Sequence, residues 1–271
     1  MGRKRTSPVN VLFGWIRRQS MKVKIFLGTL AALGSLVALK YLVRDHGSFF
    51  VASEAIHALG ILVLIYKLST KRTCSGLSLR SQEVTAIFLA VRLFCSVIHE
   101  ADIHTVLDLL TLLATAWVIY MIRFKLKSTY IKQLDNFQIL YLVVPSALLA
   151  ILIHPHSRLG SLGGMVWAFA VYLESVSVWP QLNMMQKAQM IEPFTAHYVF
   201  ALGVARFLAC AHWIIQVYET NGAHFKLIGY GLFWFPMAIV AEAVQTFILA
   251  DFCYYYIKSF MEGHLITKLP V

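Results

Sequence analysis

An all-α, polytopic membrane protein is predicted by three observations. Hydrophobic residues make up 59% of the 271-residue chain and charged residues 14%, against about 45–50% and about 25% in soluble domains. Apolar stretches long enough for an α-helix to cross a hydrocarbon core of about 30 Å recur along the chain. The stretches are apolar all round rather than alternating, which disfavours a β-barrel and leaves helices as the spanning element.

The first such run, Ile25 to Val43, follows a segment of residues 1–24 that carries Arg3, Lys4, Arg5, Arg17, Arg18, Lys22 and Lys24 and no acid. It reads as a retained signal-anchor helix ahead of the main body; a transit peptide is the rival reading. Further runs at Phe49 to Tyr66, Glu83 to Ile98, Ile103 to Ile122, Phe137 to Ile153, Leu162 to Leu182, Thr195 to Val217 and Leu227 to Ile257 predict a seven-helix core over residues 49–258, with a tail at 259–271.

The formal net charge of +11 would suggest nucleic acid in a soluble protein, but the basic residues sit in short segments between apolar runs, where they meet anionic membrane lipids instead. Lys67, Lys71, Arg72, Arg80, Arg123, Lys125, Lys127, Lys132, Lys187, Lys258 and Lys268 fall in alternate loops and the tail, on the same side as the N-terminal segment, so both termini are expected in the cytoplasm. The opposite loops are assigned His99, Glu100, Asp102, His104, His154, His156 and His224, whose charge changes over the acidity range of the secretory pathway. Cys74, Cys95, Cys210 and Cys253 have no paired spacing, so neither a disulfide framework nor a metal site is indicated.

An internal repeat at an offset of 114 residues superposes Val91-Arg92-Leu93-Phe94 on Ala205-Arg206-Phe207-Leu208, and Ser81-Gln82 on Thr195-Ala196. Two parallel triple-helix bundles joined by the helix Phe137 to Ile153 follow from it, with a site expected at their interface near the bilayer midplane. An ionised side chain there costs at least about 2.5–3.5 kcal/mol, so His57, Arg92, Glu174 and Arg206 are functional candidates, to which Asp108, Glu242, Asp251 and His212 add. Two guanidiniums at equivalent positions make a site for an anion such as a carboxylate. The bland alternative is that Glu174 neutralises an arginine and His57 bonds a neighbouring helix. Pro180-Gln181 reads as a kink or helix stop, and His197-Tyr198 as interfacial packing. No nucleophile and base stand at a telling spacing, and no phosphate loop is present, so no catalytic residue, enzyme activity or cofactor is expected.

The stretches Cys74-Ser75-Gly76-Leu77-Ser78, Ser81-Gln82, Leu142-Val143-Val144-Pro145, Tyr172-Leu173-Glu174-Ser175, Pro180-Gln181-Leu182, His197-Tyr198, Phe200-Ala201-Leu202-Gly203-Val204, Val244-Gln245-Thr246 and Asp251-Phe252 resemble the KDEL receptor family, the ER lumen protein-retaining receptors. The chain looks like a divergent, plant-type member with an added N-terminal helix. The resemblance implies a SWEET- and PQ-loop-like core, binding of the C-terminal Lys/His-Asp-Glu-Leu tetrapeptide of escaped ER residents in the acidic Golgi, return in coatomer-coated vesicles, and release at neutral pH. It implies Arg92, Arg206, Glu174, His57, Trp213, His212 and Asp251 as ligand-side residues, His57 as pH sensor, and a sorting tail with Lys258, Lys268, Leu269 and Pro270.

Departures from the family pattern fall mostly on the ligand side. Phe50 replaces an arginine and Gly164 an acid; Leu93, Cys95, Ala205, Ala209, His212 and Gln216 replace other polar positions. Fewer donors predict weaker or altered recognition of the signal. A SWEET-like small-solute transporter, and a Golgi receptor-like protein without signal binding, stay open as alternatives. Two arginines each saturated by the chain's own carboxylates, with no opening toward the lumen, would rule out cargo capture through this cavity.

Overall fold

The computed structural model describes residues 47–99, 103–155, 160–188, 191–221 and 233–262. These form α1 (Gly47–Thr70), α2 (Leu79–His99), α3 (Ile103–Tyr120), α4 (Leu140–Leu152), α5 (Gly160–Val176), α6 (Trp179–Lys187), α7 (Pro193–Glu219) and α8 (Trp234–Glu262). No strand occurs among the described residues, as the fold class predicts. The expected helix at Ile25 to Val43, the segment 1–24, and Lys268, Leu269 and Pro270 lie outside them.

Among the described residues six helical spans are long and apolar enough to cross a membrane, α5 and α6 together making one of them. The linker α4 is shorter than the run Phe137 to Ile153 suggested. Its 13 residues rise about 20 Å, because residues 131–138 are drawn into turns around the buried Asp135 before the helix begins.

The run Leu162 to Leu182 is likewise not one helix. Pro180 has no N–H for the carbonyl four residues back, and the chain breaks at Ser177 and Val178. Two carbonyls at the break find other donors. The Glu174 carbonyl accepts from Ser177 N, Ser177 Oγ and Gln245 Nε2 at 2.8–3.1 Å, and the Ser177 carbonyl accepts from Ser81 Oγ at 2.8 Å.

Each triplet places its third helix against its first and second: α3 packs on α1 and α2, and α8 on α5 and α7. Between triplets the first helix of each packs on the second of the other, α1 on α7 and α5 on α2, the exchange a two-fold relation demands. Individual residues obey the same 114-residue offset. Ser78 caps α2 by accepting from Ser81 N, and its counterpart Glu192 caps α7 by accepting from Thr195 N. Gln181 reaches back to the first cap, accepting from Ser78 N at 2.8 Å and donating to the Gly76 carbonyl; its counterpart Lys67 reaches the second cap, with Nζ 2.9 Å from both Glu192 Oε2 and Thr195 Oγ1 and 2.7 Å from the Ser75 carbonyl.

Lys67 and Pro180-Gln181 therefore differ from their sequence reading. Lys67 is 0% exposed inside α1, not a loop residue, and Gln181 is a clamp on the opposite triplet as well as part of a helix break. Gly76 sits at φ 76° in the turn closed by Leu77 N and the Cys74 carbonyl, a conformation that favours glycine. Burial opposes ionisation of Glu192, but bonds from Lys67 and Thr195 outweigh it and hold its carboxyl below the usual 4.5.

Above these caps Ile61, Leu64, Leu68, Tyr198, Leu202 and Phe252 form an apolar core between the triplets. Lipid removes the hydrophobic drive between helices, so close packing holds them. A Cβ on Gly203 would lie 2.2 Å from Cys253 Sγ, which shows how near α7 and α8 approach.

Candidate functional site

Beyond the apolar core, toward the other end of the bundle, α1, α2, α3, α5 and α7 bring ionised groups together. Arg92 and Arg206 occupy equivalent places on α2 and α7, and the two-fold packing turns both inward, leaving them 7% and 6% exposed. Glu174 lies between them: Oε1 and Oε2 accept from Arg92 Nη1 at 3.0 and 2.9 Å, and Oε1 accepts from Arg206 Nη2 at 2.6 Å. The remaining side of Arg92 is taken by Asp108 of α3, with Nε donating to Oδ2 at 2.8 Å and Nη2 to Oδ1. Glu54 of α1 completes the ring, its Oε1 3.8 Å from Arg92 Nη2 and its Oε2 2.7 Å from His104 Nδ1.

His57, one turn along α1 from Glu54, shares with Arg206 a cavity of about 10 Å³ also bordered by Ser81, Thr85, Ser177 and Gln245. That is room for one water and no more. A further layer covers the cluster: Phe50 packs against His104 and His212 with ring centroids 5.0 and 5.6 Å apart, and Trp213 meets His212 and Phe235. Asp251 is on the exposed face of α8, and Lys258 lies two residues beyond Tyr256, which bonds His197 near the start of α7. Neither joins the arginine cluster.

Two sequence expectations change here. The arginines do not wait for an outside anion, because Glu174 and Asp108 already hold them; the expectation that they stand free for an outside carboxylate is given up. The physical reason is the cost of a bare guanidinium inside a membrane, which the chain meets with its own acids. His104 is not in a loop but in the first turn of α3, facing Glu54. Glu54 was not singled out in the sequence, although an acid three residues before His57 on an otherwise apolar helix is itself a signal.

Two departures from the family pattern have a structural counterpart. Phe50 packs between His104, which bonds Glu54 of the cluster, and His212. At Gly164 a Cβ would stand 2.0 Å from the Pro155 carbonyl oxygen, so this backbone has no room for an acid there.

Comparison with known proteins supplies the remaining observation. The family model for the ER lumen protein retaining receptor matches residues 73–216. The ER lumen protein-retaining receptor erd-2.2 of Caenorhabditis elegans is 34% identical over 226 residues, 82% of this chain and 99% of that protein. The Drosophila melanogaster ER lumen protein-retaining receptor is 32% identical over 225 residues, 82% of this chain and 98% of its own, and that of Entamoeba histolytica 29% identical over 216, 79% and 95%.

Proposed function

The chain belongs to the ER lumen protein-retaining receptor family, and from that premise we propose that it captures the C-terminal Lys/His-Asp-Glu-Leu signal of ER residents that have reached the Golgi and carries them back. It is a receptor in ER retention, and family membership implies a non-enzymatic role. The observation that carries the reading is the near full-length match to relatives all named for that role.

The signal's carboxylates reach Arg92 and Arg206 by exchange. Glu174 and Asp108 occupy the arginines in the closed form, and the peptide takes their place as the triplets part along the α1–α7 and α2–α5 contacts. Trp213 and His212 stand in the covering layer the peptide must pass. His57 next to Arg206 is the pH sensor of this reading: protonation at Golgi acidity favours the anionic ligand by roughly 1.4 kcal/mol for each unit of pKa difference between bound and free forms. Recognition of Lys258, Lys268, Leu269 and Pro270 by coatomer in the cytoplasm, and residence in ER and Golgi membranes, complete the proposal.

Fluorescent HDEL and KDEL peptides titrated onto the purified protein at about pH 5.5 and about pH 7.4 test it. Saturable binding that is tighter in acid is expected. Solute flux in liposomes without peptide binding indicates a transporter, and an unchanged pH dependence in His57→Ala counts against His57 as sensor.

A further inference from the structure

The buried cluster holds more negative than positive charge. Glu54, Asp108 and Glu174 already outnumber Arg92 and Arg206, and a fourth acid, Glu242 of α8, lies beside them at 9% exposure, its Oε2 without a hydrogen-bond partner among the described residues. Its position follows from helix geometry, since residues three and four further on share its face. Gln245 donates to the Glu174 carbonyl at 3.0 Å, and Thr246 to the Arg206 carbonyl at 3.4 Å. Glu242 is thus aimed into the space between α5 and α7 beside the two residues whose ion pair closes the site. The charged and titratable groups around it are Arg206 and Cys210 of α7, Glu174 of α5 and Arg92 of α2, with His57 of α1 across the small cavity that Gln245 lines.

A carboxylate with an unpartnered oxygen in a membrane interior is too costly to stay ionised next to a neighbour of the same sign. We propose that Glu242 is a proton-binding site, and that its proton decides how freely Arg206 accepts a ligand carboxylate. Protonated, Glu242 is neutral, and the ligand has only Glu174 to displace. Ionised, it is a second negative charge acting on Arg206, and it opposes the arrival of the ligand carboxylate. Acid therefore favours binding of an anionic ligand and neutrality favours release, through a residue on α8 that is separate from His57. This inference rests on the receptor reading for its consequence and on the cluster alone for the proton.

Two measurements separate them. Infrared difference spectra of wild-type protein and Glu242→Gln, without any peptide, should show a protonated-carboxyl stretch near neutral pH in the wild type that the substitution removes. A spectrum with no such band overturns the site. Glu242→Gln, which imitates the protonated form, should then bind HDEL peptide about tenfold more tightly than wild type at about pH 7.4 and equally at about pH 5.5. A gain of affinity cannot come from misfolding. Equal affinities at both pH values overturn the link to Arg206, and absence of peptide binding in wild type overturns the receptor reading while leaving the infrared result standing.

Discussion

Arg92 meets Asp108 and Glu174 on two sides and Glu54 on a third, and removing it strands those acids in a membrane interior. Arg92→Met is expected to destabilise the fold by about 3–5 kcal/mol, measured by thermal unfolding in detergent. Lys67→Met should cost a similar amount, because Glu192, Thr195 Oγ1 and the Ser75 carbonyl all lose their donor. The Lys67–Glu192 pair also predicts an acid effect. Glu192 titrates lower in the folded chain than in the unfolded one, so its stabilisation is complete above about pH 4.5 and fades as the pH falls through the folded value. The difference in melting temperature between wild type and Glu192→Gln should shrink from pH 7 to below that point; a constant difference contradicts it. The charged positions on apolar runs were legible in the sequence as such, since Arg92, Arg206 and Glu174 break hydrophobic patterns. Which of them pair was not, because the partners lie 16, 32 and 82 residues apart and meet only through helix packing.

At the scale of elements the tightest constraint is the α7–α8 crossing at Gly203. Gly203→Ala pushes a methyl into Cys253 Sγ and should cost about 1–3 kcal/mol, and Cys253→Ala in the same chain should recover most of it. Absence of rescue means that the helices are held apart by something else. Helix existence was legible from apolar run lengths, and α1, α2, α7 and the greater part of α8 lie where the runs placed them. The ends and breaks were not. The split between α5 and α6 depends on Ser81 and Gln245 arriving to satisfy the freed carbonyls, and the late start of α4 depends on Asp135 accepting from Ser78, Arg80 N and Tyr130. Both are tertiary facts. Burial, and then the neighbouring Asp135 carboxylate, push the Tyr130 hydroxyl above its ordinary range, so this bond keeps its proton at any physiological pH.

For the whole molecule, the 114-residue repeat was visible in a few residues around Arg92 and Arg206, and the structure extends it to helix caps, to the Lys67 and Gln181 clamps and to the packing of α1 on α7 and α2 on α5. The two-fold arrangement puts both arginines at one internal face, which the repeat alone suggested, and then closes them with acids, which it did not. In the proposed mode of binding, an internal ion pair is traded for an external one, which requires the two halves to separate. A structure of the protein with a bound HDEL peptide at about pH 5.5 tests this most directly. A peptide carboxylate should lie about 3 Å from the guanidinium of Arg92 or Arg206, with Glu174 withdrawn from that arginine. A peptide bound elsewhere, with Glu174 still bridging both guanidiniums, would contradict the account.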